Sequence, residues 1–303
     1  MSIVDSLPKI KGKYRENADI GKMCWFKTSG IVEVLFIPQD IKDLEYFLLN
    51  KPKDLPIYVM GAGSNLLIRD GGMKGIMIRL GAGFNYIRHE DNYIIVGTAC
   101  LDLNLANYAA QNSIAGLEFF AGIPGSIGGA LAMNAGAYNN DTSSVLVEAK
   151  AINMLTGEMR IFQNQEIGYY YRGKSLSDNW IFYEAKLRGK RGNKTEILEA
   201  IQGIQEERSL TQPIKSRTGG STFKNPSGHK AWQLIDQCGL RGMKRGDAKF
   251  SEQHCNFLVN EENAKASDIE FLVKLAQQRV KEKFNVNLEE EIKIIGNDTK
   301  YLK

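Results

Sequence analysis

The sequence predicts an α+β fold with a glycine-rich N-terminal two-thirds and a smaller C-terminal domain. Short β-branched runs separated by Gly and Asp indicate strands, and a few longer segments with helical spacing indicate helices. Five glycines also lie between Glu118 and Tyr138. Fixed glycines cost conformational entropy, so this density indicates a backbone that lies directly against something large and flat or highly charged.

Each predicted strand is a run of β-branched or aromatic residues that ends at Gly, Pro, Asp or Asn. The run at 57–60 has four consecutive apolar residues and predicts a buried strand that leads into a glycine turn. The predicted strands are 31–37, 57–60, 66–68, 76–78, 93–96, 145–154, 180–187 and 291–295.

The predicted helices begin after capping residues or show apolar spacing of three and four. Asp40 caps a helix whose apolar face includes Leu44 and Phe47, and 267–270 reads as a capping box for a late helix. Further helices are predicted at 101–111 and 195–210. We expect an N-terminal region at 1–208, with a second lobe that starts near residue 80, and a C-terminal domain at 209–303.

The composition is that of an ordinary globular protein. The chain has 303 residues, 43% of them hydrophobic and 24% charged, which favours about two domains with packed cores. The net charge is +4, and basic and acidic residues alternate along the chain. This pattern argues against nucleic-acid or membrane partners and suits an anionic small molecule.

Cysteines and histidines are widely scattered, which predicts neither a metal site nor a disulfide framework. They are Cys24, Cys100, Cys238, Cys255, His89, His229 and His254. An apolar signal core at the N-terminus and apolar runs of membrane-spanning length are not seen, so we expect a reduced, cytoplasmic protein.

Two segments resemble nucleotide-binding motifs and fail on context. Residues 168–175 match the P-loop pattern, but three tyrosines fill the loop and neither a preceding buried strand nor a following helix is predicted. Residues 61–66 begin like the dinucleotide fingerprint, but Leu66 replaces its third glycine and a strand follows instead of a helix.

The turn at 61–65 therefore has two interpretations. It is either a tight turn without a ligand or a nest of backbone amides that binds an anion, with Ser64 and Asn65 as additional donors. The second glycine loop favours one extended ligand that contacts both segments.

Five blocks of sequence in this order resemble one family. GAGSNLL, GIPGSIGGALAMNAGAY, YYYRGKS, GGSTFKNP and LEEEIKIIG are similar to blocks of the UDP-N-acetylenolpyruvoylglucosamine reductases, flavoenzymes of peptidoglycan precursor synthesis. The resemblance covers nearly the whole chain. It implies an FAD-binding domain of the vanillyl-alcohol oxidase/p-cresol methylhydroxylase type and a smaller α+β substrate domain that closes over a sugar nucleotide.

The resemblance also implies the cofactors and their site. FAD is expected to be bound non-covalently, because neither glycine loop contains a histidine, and NADPH is expected as the hydride donor. The expected substrate is a UDP-sugar enolpyruvyl ether, and we expect a monomer. The expected FAD-binding residues are Gly61, Ala62, Gly63, Ser64, Asn65, Leu66, Gly122, Ile123, Pro124, Gly125, Ser126, Gly129, Asn134 and Gly136.

Three catalytic residues are carried over from the family. Ser221 matches the proton donor, while Arg172 and Glu291 match the pair that orients the substrate and stabilises an enolate. Substrate contacts are expected from Lys224, Asn225, Arg241 and His254. The short span between Arg172 and Ser221 resembles the family variant that lacks an inserted tyrosine loop, which leaves open how substrate is enclosed.

Two other functions fit the glycine loops. A flavin oxidase of the same fold would use oxygen as acceptor, although the blocks around Arg172, Ser221 and Glu291 speak against it. A nucleotide-sugar binding protein without catalysis is the third alternative, and it would be colourless with added FAD.

Overall fold

A computed structural model of the chain describes residues 3–298. The chain forms two compact units, each with its own hydrophobic core. The first unit comprises the chain up to Glu16 together with Val34–Ala62 and Gly75–Glu207. The second comprises Asn17–Glu33, Gly63–Lys74 and the chain from Arg208.

The helices and strands are numbered in chain order. The α-helices are α1 Ile41–Asn50, α2 Asp102–Gln111, α3 Ile127–Met133, α4 Thr142–Val145, α5 Asn164–Ile167, α6 Lys194–Thr211, α7 Ala231–Gln237 and α8 Ala266–Phe284. The strands are β1 Lys13–Asp19, β2 Ile31–Ile37, β3 Ile57–Met60, β4 Leu66–Ile68, β5 Met73–Arg79, β6 Ile87–Glu90, β7 Tyr93–Gly97, β8 Ile114–Ala115, β9 Gly136–Ala137, β10 Asn140–Asp141, β11 Leu146–Asn153, β12 Met159–Gln163, β13 Tyr169–Tyr170, β14 Gly173–Lys174, β15 Trp180–Arg188, β16 Lys190–Arg191, β17 Arg217–Ser221, β18 Lys244–Arg245, β19 Ala248–Phe250, β20 Phe257–Asn260 and β21 Lys293–Ile295.

The first unit contains two cores. One lies under α1, which begins as predicted because the Asp40 carboxylate accepts a hydrogen bond from Asp43 N at 2.9 Å. Leu44 and Phe47 of α1 pack there with Ile76 and Ile78 of β5. The other core lies against a five-stranded sheet of order β12-β11-β15-β7-β6 and buries the apolar faces of α2 and α3.

The second unit is built on a four-stranded antiparallel sheet of order β17-β20-β19-β18. One face of this sheet packs Leu258 and Phe250 against α7 and α8. Strand β21 pairs in parallel with β4, so Lys293 lies opposite Leu66. This pairing is why 63–74 lies in one unit with the C-terminal residues, whereas the sequence division at residue 209 grouped it with the N-terminal region.

Two strand predictions were wrong in detail. Strand β3 is an edge strand, and Tyr58 and Val59 are exposed rather than buried. The last strand begins at Lys293 instead of residue 291, because Glu291 N donates to the Thr222 carbonyl at 2.8 Å. That hydrogen bond holds Glu291 outside the β4 ladder.

The predicted capping box was also wrong. Helix α8 begins at Ala266, and its first amides are capped by a carboxylate distant in sequence. Asp70 accepts from Ala266 N at 2.8 Å and from Ser267 N at 3.0 Å. A cap supplied by another segment leaves no local sequence signal.

Within residues 3–298, no helix combines the length and apolar character needed to cross a membrane. All four cysteines are free thiols. Among the same residues, no three His, Cys, Asp or Glu side chains are grouped as metal ligands.

Candidate active site

The two glycine segments of the first unit lie against one another. A Cβ atom on Gly61 would lie 2.6 Å from Ser126 Oγ and 3.6 Å from Gly129 N. A side chain at position 61 would therefore displace the Ser126 hydroxyl. The chain therefore brings the end of β3 onto the start of α3, as one ligand that contacts both segments requires.

Two glycines of the second loop lie where the protein itself leaves no room for a side chain. A Cβ on Gly122 would lie 2.7 Å from the Tyr138 ring, and one on Gly136 would lie 2.4 Å from Asn140 O. Gly129 differs, because its Cβ would meet only Ser126 Oγ, at 3.8 Å. Gly129 is therefore a position in this loop where the backbone borders open space.

The segment 98–102 holds the second loop in place. Ile127 N donates to Cys100 O and Gly128 N donates to Thr98 O, both at 2.9 Å. These two amides are therefore used by the protein rather than offered to a ligand. The Ser126 hydroxyl is buried and has no hydrogen-bond partner within the described chain, so it is a donor in need of an acceptor.

Arg172 lies in the β13–β14 hairpin, which replaces the P-loop that the local pattern suggested. Its φ is +55°, so the residue has left-handed backbone geometry, which is uncommon outside glycine. Its Nη2 donates to Gly136 O at 2.8 Å. Strain at a hairpin tip is maintained by surrounding contacts, and the hydrogen bond to Gly136 O is one such contact from the glycine loop.

Asn134 provides the second link between the hairpin and the loop. Its Nδ2 donates to Tyr170 O at 3.1 Å, and its Oδ1 accepts from Ser143 N at 2.9 Å. Tyr169 OH adds a hydrogen bond to Leu131 O at 3.0 Å. The loop that borders Gly129 therefore also positions Arg172.

Ser221 and Glu291 are joined through the backbone of the second unit. Ser221 ends β17 opposite Phe257, and Glu291 N donates to the carbonyl of the adjacent Thr222 at 2.8 Å. Two residues after Thr222 and two residues before Glu291, Lys224 N donates to Glu289 O at 2.9 Å. The proposed acid and the glutamate thus lie on directly paired segments.

Asn65 connects the first glycine turn to the same segment. Its Nδ2 donates to Glu291 O at 2.9 Å, and its own carbonyl accepts from Lys293 N at 2.9 Å. The Asn65 side-chain amide therefore holds the Glu291 backbone, and its contact with a ligand stays a prediction.

Asn256 is a site residue that sequence reasoning missed. It is 4% exposed, and its side chain makes both hydrogen bonds available on the Phe223 backbone. Phe223 N donates to Oδ1 at 3.0 Å, and Nδ2 donates to Phe223 O at 2.8 Å. An asparagine directly before the apolar run of β20 was the available signal.

The residues predicted to contact substrate have other partners. Arg241 forms a bidentate ion pair with Asp236, with both N–O distances at 2.8 Å. Asn225 Oδ1 accepts from Ala231 N at 3.0 Å at the start of α7. Lys224 Nζ pairs with Glu289 Oε1.

His254 lies next to the Ser221 strand pair. Its ring meets Phe257 edge-on, with centroids 4.8 Å apart, and its Nδ1 accepts from Asn256 N at 3.3 Å. Burial lowers the pKa of His254, so the imidazole is neutral near physiological pH. A neutral ring offers Nε2 as the remaining polar atom.

The predicted site residues are distributed over both units. The first contains Gly61, Ala62, Gly122, Ile123, Pro124, Gly125, Ser126, Gly129, Asn134, Gly136 and Arg172. The second contains Gly63, Ser64, Asn65, Leu66, Ser221, Lys224, Asn225, Arg241, His254 and Glu291.

Comparison with known proteins decides the family. Residues 212–295 match the model of the UDP-N-acetylenolpyruvoylglucosamine reductase C-terminal domain, and residues 32–162 match an FAD binding domain. The reductase of that name from Parvibaculum lavamentivorans is 49% identical over 97% of this chain and 95% of its own length. The Rickettsia typhi reductase is 47% identical over 96% and 98%.

The chain belongs to the UDP-N-acetylenolpyruvoylglucosamine reductase family. A solved structure agrees: the reductase from Thermus caldophilus has a TM-score of 0.81 at 30% identity and covers 95% of this chain and 100% of its own. The resemblance found in the sequence, the α+β fold class with its FAD-binding domain, and the FAD itself are thereby confirmed.

The first unit of this reductase family member has features that suit FAD. The cofactor carries a pyrophosphate, which favours hydroxyl and amide donors. Ser126 Oγ is a buried hydroxyl without a partner in the described chain, and Gly129 leaves room beside it for a bulky group. Both residues lie within the matched FAD binding domain.

Proposed function

We propose that this protein reduces UDP-N-acetylenolpyruvoylglucosamine to UDP-N-acetylmuramate in peptidoglycan precursor synthesis, with NADPH as reductant. The proposal is supported by family membership over nearly the whole chain and by the FAD binding domain. The structural observation that supports the proposal is the hydrogen bond from Glu291 N to Thr222 O, because this bond fixes Glu291 beside Ser221.

The substrate is an enol ether conjugated to a carboxylate. Bound FAD, once reduced, supplies the hydride that this double bond accepts at its terminal carbon. Negative charge then develops on the carbon next to the carboxylate, which needs a cation for stabilisation and an acid for protonation.

Ser221 is the acid in this proposal. Its hydroxyl gives its proton to the carbon next to the carboxylate, which leaves an alkoxide that solvent reprotonates. A positioned general acid contributes roughly 10²–10⁴-fold to a rate. The two hydrogen bonds from Asn256 to Phe223 keep this segment in place.

Arg172 and Glu291 orient the substrate. The planar guanidinium matches a carboxylate or enolate in a bidentate manner, and its field stabilises the developing charge. Glu291 steadies this arrangement, which is the role that the resemblance in sequence implies for it. The hydrogen bond of Arg172 to Gly136 O ties its position to the loop that borders Gly129.

The remaining assignments follow from this reaction. The partner is a small molecule, not nucleic acid, and the enzyme works as a monomer in the cytoplasm. Four free thiols suit that reducing compartment. FAD is held non-covalently by the glycine segments, with 1–208 as the cofactor region and 209–303 as the substrate domain.

A matched pair of glycine variants tests the FAD site. Gly129→Ala places a methyl group where the protein has room, so the apoprotein should remain as stable as wild type while FAD affinity falls. Gly122→Ala places one 2.7 Å from the Tyr138 ring, so it should lower the urea midpoint. If titration followed by visible absorbance shows that Gly129→Ala binds FAD with wild-type affinity, this loop is excluded from the FAD site.

Stopped-flow absorbance tests the reaction. Wild-type protein should be yellow, should bleach with NADPH, and should reoxidise rapidly with the enolpyruvyl UDP-sugar and slowly in air. Faster reoxidation in air would instead identify an oxidase. Protein that stays colourless with added FAD would identify a binding protein.

The role of Ser221 is tested by substitution. Ser221→Ala should keep FAD and its reduction by NADPH but lose substrate reduction, because only the proton donor is removed. Ser227→Ala, at an exposed position six residues away, is the control and should behave as wild type. Wild-type turnover in Ser221→Ala would exclude the hydroxyl as proton donor.

A further inference from the structure

The backbone around Glu291 changes its pairing partner within a few residues. Glu290 forms an isolated antiparallel bridge with Phe223. Lys293 begins β21 and pairs in parallel with Leu66 of β4. Glu291 lies between these two pairings and belongs to neither strand pair. Its position is therefore not set by a regular ladder.

Two hydrogen bonds hold the Glu291 backbone at this changeover. Its N–H donates to the carbonyl of Thr222, the residue that follows Ser221, at 2.8 Å. Its carbonyl accepts from Asn65 Nδ2 at 2.9 Å. The first bond joins two backbone groups, whereas the second needs the side chain of Asn65. A substitution at position 65 therefore removes the second bond and leaves the first in place.

The Asn65 side chain extends the β4–β21 ladder by one residue. In a parallel ladder, a residue donates its N–H to one residue of the neighbouring strand and accepts at its C=O from the residue two positions later. Asn65 makes this pattern with Glu291 and Lys293. Its carbonyl accepts from Lys293 N at 2.9 Å, while its side-chain amide takes the place of the backbone donor. Asparagine thus fixes the carbonyl of residue 291 at the point where the backbone ladder ends.

The Glu291 backbone is linked in turn to the segment that carries Ser221. Thr222, which accepts from Glu291 N, is itself held, because its own N–H donates to the Asn256 carbonyl at 2.7 Å. A continuous series of hydrogen bonds therefore runs from Asn65 through Glu291 to Thr222. The Glu291 Cα lies between the two hydrogen-bonded groups, so both bonds restrict the direction of its side chain.

We propose that Asn65 is a positioning residue for the reduction of substrate, and that it acts through Glu291. The inference rests on the proposed function, in which Glu291 steadies the substrate while Ser221 supplies the proton. A group that orients a substrate has to be held within about 0.5 Å, and a misplacement of about 1 Å costs roughly 100-fold in rate. The Asn65 amide limits such a shift of Glu291. This role is distinct from the contact with FAD that the resemblance in sequence implies for Asn65.

Single-turnover stopped flow with FAD-saturated protein tests this role. Asn65→Ala should slow reoxidation of the reduced enzyme by the enolpyruvyl UDP-sugar about tenfold, the effect of one hydrogen bond, and should leave reduction by NADPH within about twofold of wild type. Asn297→Ala, at an exposed asparagine just after β21, is the matched control and should react as wild type. Wild-type reoxidation in Asn65→Ala, or slower reduction by NADPH in its place, overturns the inference.

A double-mutant cycle shows whether Asn65 acts through Glu291. Glu291→Gln removes the carboxylate and keeps the backbone, so in this background Asn65→Ala should slow reoxidation by less than about twofold. A direct contact with FAD, or a general loss of stability, instead predicts the same loss of about tenfold in both backgrounds. An equal loss therefore overturns the inference.

Hydrogen exchange of the whole chain, with and without added FAD, gives a readout that does not depend on turnover. In Asn65→Ala the amides of 289–293 should exchange faster than in wild type, whereas those of α8 should not change. Unchanged exchange at 289–293 overturns the inference, even where the variant binds FAD too weakly for kinetics. Absence of turnover in wild type overturns the proposed function instead, and exchange then still decides whether Asn65 holds Glu291.

Discussion

Replacing Asn256 with alanine tests whether one buried amide positions Ser221, the proposed proton donor. The side chain is 4% exposed and makes two hydrogen bonds to Phe223, at 2.8 and 3.0 Å. Alanine removes both and leaves a buried N–H and C=O unpaired, at about 1–3 kcal/mol each. The free energy of unfolding should therefore fall by about 2–6 kcal/mol, a large share of the stability of a typical domain.

The effect on catalysis should be confined to one half-reaction. Phe223 is two residues from Ser221, so a loosened segment should slow reoxidation of the reduced enzyme by the enolpyruvyl UDP-sugar. Reduction of FAD by NADPH should keep its wild-type rate, because Asn256 supports the segment of the proposed acid and not the proposed FAD-binding loop. Urea unfolding and single-turnover stopped flow measure the two effects.

Two further variants complete the test. Asn256→Asp keeps the acceptor for Phe223 N but sets a second oxygen against Phe223 O, so it should be destabilised in the same direction. Asn263→Ala, at an exposed position in the same unit, should unfold at the wild-type urea concentration. Wild-type stability of Asn256→Ala in urea, or a slowed reduction of FAD, would contradict a positioning role for Asn256.

Three other predictions follow from contacts in the two units. The Asp102 carboxyl is fully buried and has no hydrogen-bond partner in the described chain, and this burial raises its pKa. The unfolded state therefore releases this proton at a lower pH than the folded state does. Asp102→Asn should therefore stabilise the protein at pH 8, and its advantage in urea unfolding should shrink towards pH 4; an advantage that grows in acid would contradict this. Asp70→Ala should remove the cap of α8 and lower the free energy of unfolding by about 1 kcal/mol in urea, whereas the exposed Asp54→Ala should not. Arg172→Lys loses bidentate recognition, so kcat/KM for the enolpyruvyl UDP-sugar should fall roughly 10–100-fold while FAD content stays constant, and near-wild-type kcat/KM would exclude the guanidinium.

Much of the local structure could be predicted from the sequence where the signal is local. The apolar run at β2 and the Asp40 cap of α1 depend on neighbouring residues, and both were predicted correctly. The hairpin around Arg172 was correctly distinguished from a P-loop because three tyrosines cannot leave backbone amides open. The five sequence blocks that resemble the reductase family are also short stretches of chain, so they could be recognised without the tertiary structure.

Features that depend on distant partners could not be predicted. Asp70 caps a helix nearly two hundred residues later, and Asn256 binds the backbone of Phe223 across a strand pair. The exposure of Tyr58 depends on β3 being an edge strand. In each case the local residues are compatible with several partners, and only the packed chain selects one.

The amino-acid sequence by itself determined the α+β class, the glycine segments and the residue types that reduction of an enol ether requires, because these are properties of short stretches of chain. Only the tertiary structure decided which hydrogen-bonding side chains already have partners within the protein. Asn65, Asn134 and Arg241 resemble ligand-binding residues in the sequence, yet each binds the protein's own backbone or a carboxylate. Hydrogen-bonding groups pair with the groups that the fold places beside them, and these spatial neighbours cannot be predicted from the order of residues in the chain.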